Sequence, residues 1–335
     1  MLRPIDSPAS WRPTADSARL HARATALAAA REFLSSHRYL EIETPTLVST
    51  PVSDPQLANL SCQVATTRPV SCFLHTSPEY HMKRLLAAGA PDIFQLCKVY
   101  RDGESGLRHL PEFTLVEWYR HGNDYDRFIS EATDFVAAVA ASLGVTTPAA
   151  VHLGYRDVFD EFAGCDPLED SVEQIGSAAR RLLGERLAPG LAAQLGEERD
   201  AWLDLMMIEV IEPGLAGRGL VILDRFPASQ AALARLDPAD PRVSRRFEIY
   251  LHGIELANGY HELASASEQR RRFEADNVAR ARLGRSPVPL DEELLAALEA
   301  GLPECCGVAL GFDRLLMACL GERNIRRVVS FPPGS

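Results

Sequence analysis

The chain has 335 residues, 46% hydrophobic and 24% charged, a balance that supports a large folded core and excludes a disordered or fibrous protein. Its 35 Lys and Arg against 46 Asp and Glu give a formal charge of −11, which argues weakly against nucleic acid as the substrate. No run of about 18 apolar residues occurs and Met1 to Pro8 lack a secretory apolar stretch, so the expectation is a cytoplasmic protein without membrane attachment. Its seven scattered cysteines, with no C-x-x-C pair, should be reduced.

After a Pro- and Ser-rich lead-in, Leu20, Ala24, Leu27, Ala30, Phe33 and Leu34 recur at helical spacing and predict an amphipathic helix over residues 18–37. Tyr39 to Thr44 alternate as a strand that Pro45 stops. Thr76-Ser77-Pro78-Glu79 reads as a helix start, with Ser77 as N-cap, Pro78 at the first helical position and Gly89 as the stop. Two strand patterns, Asp92 to Arg101 and Glu112 to Arg120, flank a polar segment carrying Asp102, Gly103, Glu104, Ser105, Gly106 and Arg108. They predict a hairpin with a long, mobile tip. Residues 127 to about 220 have helical spacing and read as an insertion. Strand character returns from Val221 to Gly259, with Asn258-Gly259 as a turn dipeptide. Helices at about 265–283 and 291–300, a strand at Gly307 to Gly311 and a helix opening at Asp313 and closed by Gly321 complete the chain. The order predicts one α+β domain over residues 1–335, an antiparallel sheet surrounded by helices.

Four groups of residues carry chemistry. Alternation puts Phe113, Leu115, Glu117 and Tyr119 on one strand face, and a carboxylate among apolar neighbours calls for a cation, either an ammonium ligand or a structural partner. Arg101 and Arg108-His109 stand at the two ends of the hairpin loop, where guanidinium groups suit phosphate oxygens, although loops also collect arginines that bind nothing. Glu255 and Glu262 bracket the Asn258-Gly259 dipeptide, and two carboxylates flanking one turn either share a divalent ion or belong to an ordinary polar turn. In Gly307 to Arg314, small residues admit a ligand to the strand backbone, or pack a helix closely, and Arg314 lies near a helix N-terminus.

In their order and wording these segments resemble the three signature motifs of class II aminoacyl-tRNA synthetases: Tyr39 to Pro45, Phe94 through Arg101 to Phe113, and Gly307 to Arg314. The wording is similar to that of lysyl-tRNA synthetases, but the first motif begins at Tyr39, which leaves no room before it for an OB-fold anticodon domain. Ser77 to Leu86, Glu117-Trp118-Tyr119-Arg120, Phe226-Pro227-Ala228-Ser229-Gln230 and Gly307 to Gly311 resemble the elongation factor P (R)-β-lysine ligase family, over nearly the whole chain. That resemblance implies ATP and Mg2+ as cofactors, with Arg101 and Arg314 as the catalytic groups. Arg101, Asp102, Gly103, Glu104, His109, Leu110, Phe113, Glu255, Leu256, Gly311 and Arg314 would form the ATP site. Ser77, Pro78, Glu79, Glu117, Tyr119, Asn258, Glu262 and Ala309 would line the amino-acid pocket, and Glu255 and Glu262 would carry the metal. Where the family's second motif runs Arg-x-Glu, this chain runs Arg101-Asp102-Gly103-Glu104, and Leu110 replaces an Asn. Either Glu104 reaches the adenine amino group through a loop relaxed by Gly103, or backbone groups alone read the base.

The resemblance implies a homodimer that activates (R)-β-lysine, or lysine, as an acyl-adenylate and transfers it to a lysine side chain of elongation factor P. A stand-alone enzyme charging tRNA or a small acceptor is a second expectation, disfavoured by the acidic charge. A non-catalytic paralogue with a regulatory binding role is a third.

Overall fold

The computed structural model describes residues 11–65, 70–122 and 124–333; the start of the lead-in lies outside them. Two compact units divide the chain, the first from residues 1–146 and 262–335, the second from residues 147–261.

The first unit opens with α1 (Ser17–Ser36), capped by the Asp16 carboxylate, which accepts from the Arg19 N–H at 3.0 Å. Three very short or edge elements follow, β1 (Leu40–Glu41), β2 (Leu47–Val48) and β3 (Ser61–Val64), then β4 (Val70–Leu74). In α2 (Glu79–Ala87) Pro78 takes the cap position, and the Ser77 hydroxyl still accepts from the Glu79 N–H at 3.0 Å. The expected hairpin is present: β5 (Ile93–Tyr100) pairs antiparallel with β6 (Glu112–His121) from Ile93–Tyr119 to Tyr100–Glu112. The next helix, α3 (Tyr125–Ser142), belongs to this unit rather than to an insertion, because Trp118 of β6 packs on its Phe128 and Phe135 with ring centroids 6.5 and 4.8 Å apart.

The chain then enters the second unit. A strand that helical periodicity concealed, β7 (Val151–Gly154), leads to α4 (Tyr155–Ala163), α5 (Val172–Leu183), α6 (Leu191–Leu195), α7 (Arg199–Met206) and α8 (Glu212–Leu215). After β8 (Leu220–Asp224), β9 (Arg246–Leu251) and β10 (Ile254–His261) form a hairpin. The order within this unit is β10-β9-β8-β7. Its core stacks Tyr155 on Phe159, with centroids 4.6 Å apart, and tilts it against Phe226 at 4.8 Å. Ser229 and Gln230 hold α7 through Asp200 and Asp204, at 2.8 and 3.0 Å.

Back in the first unit, α9 (Ala266–Arg282) and α10 (Glu292–Gly301) match the two expected helices, and β11 (Cys305–Gly311) runs straight into α11 (Phe312–Cys319). Strand order here is β1-β5-β6-β11, with a separate three-stranded sheet β2-β4-β3. Among the described residues each unit has one parallel pair, β1 with β5 and β7 with β8; the remaining described pairs within the units are antiparallel. Each unit is α+β, with helices beside mainly antiparallel strands, the class that the order of elements predicts. All seven cysteines are free, and no described helix is long and apolar enough to cross a membrane.

Candidate active site

Strand β6 builds the site. Phe113 and Leu115 pack with Val99, Cys97 and Ala309, while Trp118, pointing the other way, faces α3, so the two faces read from alternation are real. Farther along the first face, Glu117 is 1% exposed and its two oxygens accept the Ser77 and Tyr119 hydroxyls at 2.7 and 2.6 Å. Lys83, also 1% exposed, places Nζ 2.8 Å from Glu79 Oε1 and 2.5 Å from Glu262 Oε2. Glu79 and Lys83 stand one helical turn apart on α2, which brings both side chains to the same face of the helix.

Electrostatics follow from this crowding. Burial, reinforced by the charge of Glu79, pushes the Glu117 carboxyl up to about 8 although two hydroxyls favour its ionised form. Burial raises Glu262 to about 7 against the pull of Lys83. For Lys83 itself burial works downward, and the two carboxylates overcome it, leaving the ammonium above its ordinary value. Glu79, Glu117 and Glu262 carry three charges when all are ionised, against one on Lys83, so the fully ionised cluster is two positive charges short of neutral. Buried charge of this kind needs cations, and a ligand with two ammonium groups supplies them.

Gly307 makes the gathering possible. A Cβ there would lie 2.3 Å from Tyr119 Cε1 and 2.5 Å from Glu262 Oε1, so any side chain would displace both. Ala309 sits opposite Glu117 in the β11–β6 register and already carries a methyl group.

A cleft occupies the other end of the same face. Arg101, Glu104, Arg108, His109 and Leu110 line it from the hairpin loop, Phe113 from the start of β6, and Gly311, Asp313 and Arg314 from the β11–α11 junction. The Arg101 guanidinium carbon stands 5.0 Å over the Phe113 ring, and Nη1 lies 3.5 Å from Glu104 Oε1. Gly103 adopts φ +78°, the left-handed conformation that turns the loop and brings Glu104 into the cleft, while Asp102 and Gly103 stay outside its lining. The loop is tied at both sides, by Asp102 N–H to the Ala58 carbonyl at 2.8 Å and by Ile325 N–H to the Leu107 carbonyl at 2.8 Å. Asp313 is buried and accepts the Thr114 N–H at 2.7 Å, which locks the start of α11 against β6.

The second unit corrects one reading. Asn258 and Gly259 lie in mid-strand, paired with Glu248 and Phe247; the turn is made by His252 and Gly253, whose φ of 53° and 72° is what a tight two-residue hairpin turn requires. Extended chain of about 3.3 Å per residue separates Glu255 from the end of β10 by about 20 Å, too far for one ion to join Glu255 and Glu262. Glu262 is committed to Lys83 instead. The fold pairs Glu255 with a residue not singled out from sequence, Glu248: Glu255 stands opposite Tyr250, two residues along the same face of β9. Burial, with the charge of Glu255 adding to it, raises Glu248 above the ordinary carboxylate range, Arg246 opposing. Glu248 accepts from Arg246 at 2.6 Å, from Tyr250 and from Asn258 at 3.3 Å. That leaves about one of its four acceptor sites for a cation, so the pair could hold a hard divalent cation such as magnesium. Leu256, at the bulge beside Glu255, is fully buried.

Comparison with known proteins identifies the family. Residues 9–334 match the class II tRNA synthetases (D, K and N), and the chain belongs to that family. Among its relatives are proteins named elongation factor P–(R)-β-lysine ligase. That of Haemophilus influenzae strain PittGG is 43% identical over 324 residues, covering 96% of this chain and 97% of the relative. Those of Vibrio cholerae serotype O1 and Klebsiella pneumoniae strain 342 are 43% and 42% identical over 327 and 326 residues, each covering 96% of this chain and 97% of the relative.

Proposed function

We propose that this chain is an AMP-forming ligase that activates (R)-β-lysine with ATP and transfers it to a lysine side chain of elongation factor P. The observation that carries the reading is the buried set of Glu117 with Glu79, Lys83 and Glu262, two positive charges short of neutral once its carboxyls are ionised, which suits an amino acid bearing two ammonium groups. In the first step the amino-acid carboxylate attacks the α-phosphorus and pyrophosphate leaves. In the second the acceptor amine attacks the acyl carbon and AMP leaves. No nucleophilic side chain is required. Arg101 and Arg314 hold the triphosphate, His109 stands by them, Phe113 supports adenine, and Glu104 lies in the same cleft to meet the adenine amino group. Glu248 and Glu255 would hold magnesium, which neutralises phosphate charge when bound. Ala309 narrows the pocket opposite Glu117 in favour of a β-amino acid. The reaction belongs to the cytoplasm, and a homodimer, implied by the first motif, is part of the proposal.

Intact-mass spectrometry of elongation factor P tests the reading, after incubation with this protein, ATP, magnesium and (R)-β-lysine, (S)-β-lysine or α-lysine in parallel with a tRNA-charging control. A lysyl-sized mass gain, largest with (R)-β-lysine, is the expected result. Charging of tRNA with no gain on the protein would replace it with the tRNA reading, and ATP binding without adenylate formation with that of a silent paralogue.

A further inference from the structure

The steps above give Lys83 no part, yet its ammonium is buried within the amino-acid pocket and ion-paired to two of that pocket's three carboxylates. We infer that Lys83 is a positioning and specificity residue: pinned between Glu79 and Glu262, it cancels one of three carboxylate charges and so sets the pocket to take a substrate with two ammonium groups. The inference rests on the reading of the pocket under the proposed function.

The charge count holds because the other titratable groups facing these carboxylates are neutral. Burial raises the Tyr119 hydroxyl from β6, the Cys97 thiol from β5 to about 12, and the Cys305 thiol from β11. Ser77 and Gln95 add dipoles without charge. Glu117, from β6, faces Glu79 and Lys83 of α2 and Glu262 beyond β10, and burial with the Glu79 charge favours its protonated form. In the empty pocket Glu117 therefore holds a proton, which an arriving ammonium displaces. Lys83 also fixes geometry, since its contacts of 2.8 and 2.5 Å hold the Glu79 and Glu262 carboxylates against one ammonium.

The test compares wild type, Lys83→Met and Lys83→Arg in (R)-β-lysine-dependent pyrophosphate exchange from pH 6 to 9.5. In Lys83→Met, KM should rise by about tenfold or more at pH 7 with kcat within about threefold, and the excess should shrink as pH rises and the stranded carboxylates lose protons. Lys83→Arg keeps the charge and should keep the wild-type pH profile. A rise in KM that is the same at every pH, or a loss confined to kcat, would show a merely structural lysine and overturn the inference. Should Lys83→Met fail to fold, calorimetry on the wild type decides. Binding of (R)-β-lysine at pH 7 in two buffers of different ionisation heat should release about one to one and a half protons, from Glu117 and Glu262 together, with the release falling away as pH rises past 8. No proton release overturns the inference. Absence of exchange with any lysine in the wild type sinks the functional reading itself, whereas normal wild-type exchange with a flat Lys83→Met profile sinks only the role of Lys83.

Discussion

Gly307→Ala tests the packing of the pocket without any assumption about the nucleotide. The added methyl would sit 2.3 Å from Tyr119 Cε1 and 2.5 Å from Glu262 Oε1, about 1 Å short of ordinary carbon contact. Neither neighbour gives way freely, because the Tyr119 hydroxyl is bonded to Glu117 at 2.6 Å and Glu262 is paired to Lys83 at 2.5 Å. Overpacking costs about 1–3 kcal/mol, and loss of a hydrogen bond to a charged group about 1.5–3 kcal/mol; the two overlap, so about 2 kcal/mol falls on the pocket. That corresponds to a KM for (R)-β-lysine raised by about 30-fold. The assay is pyrophosphate exchange at saturating ATP, with the KM for ATP as internal control, since Gly307 does not line the nucleotide cleft. A variant with wild-type KM for (R)-β-lysine and unchanged melting temperature would refute the wedge between Tyr119 and Glu262.

Arg101→Ala should lower pyrophosphate exchange by about 100-fold or more, as expected for removal of a group that stabilises transferring charge. The fold should lose only about 1 kcal/mol, because Arg101 contributes a half-exposed ion pair to Glu104 and a cation–π contact to Phe113; a melting curve beside the exchange assay separates the two effects. Glu117→Gln should abolish activation of (R)-β-lysine yet raise the melting temperature at high pH. The native carboxyl titrates near 8, above its unfolded value, so the wild type binds more protons folded than unfolded and loses stability as pH climbs from about 4.5 to 8, a loss that Gln cannot show. Thermal scans at pH 5 and 9 check the sign, and equal effects at both would refute it. Glu255→Gln and Glu248→Gln should each raise the magnesium concentration needed for half-maximal exchange, whereas Glu262→Gln should raise the KM for (R)-β-lysine with little change in the magnesium requirement. The reverse pattern would restore Glu262 as the metal ligand.

Periodicity alone determined the hairpin, its two faces and the helices beyond residue 265, because a strand buried on one side must alternate and a helix must repeat its apolar positions. The signature wording of the loop, of Glu79, and of Gly307 to Arg314 picked out residues that the fold gathers, Arg101, Glu104, Phe113 and Arg314 in one cleft and Glu79 with Glu262 around Lys83. What the sequence concealed was partnership across the chain. Asn258-Gly259 looks like a turn by composition, but a turn is fixed by where backbone φ is positive, and that lies at His252-Gly253. This single shift in register exchanges Glu262 for Glu248 as the neighbour of Glu255. Lys83 lies on α2, where a lone lysine is usually solvated; only the packing of that helix against the sheet reveals that its ammonium is buried between two carboxylates. Local pattern reports which side of an element is apolar, and tertiary structure decides which charges must share the interior.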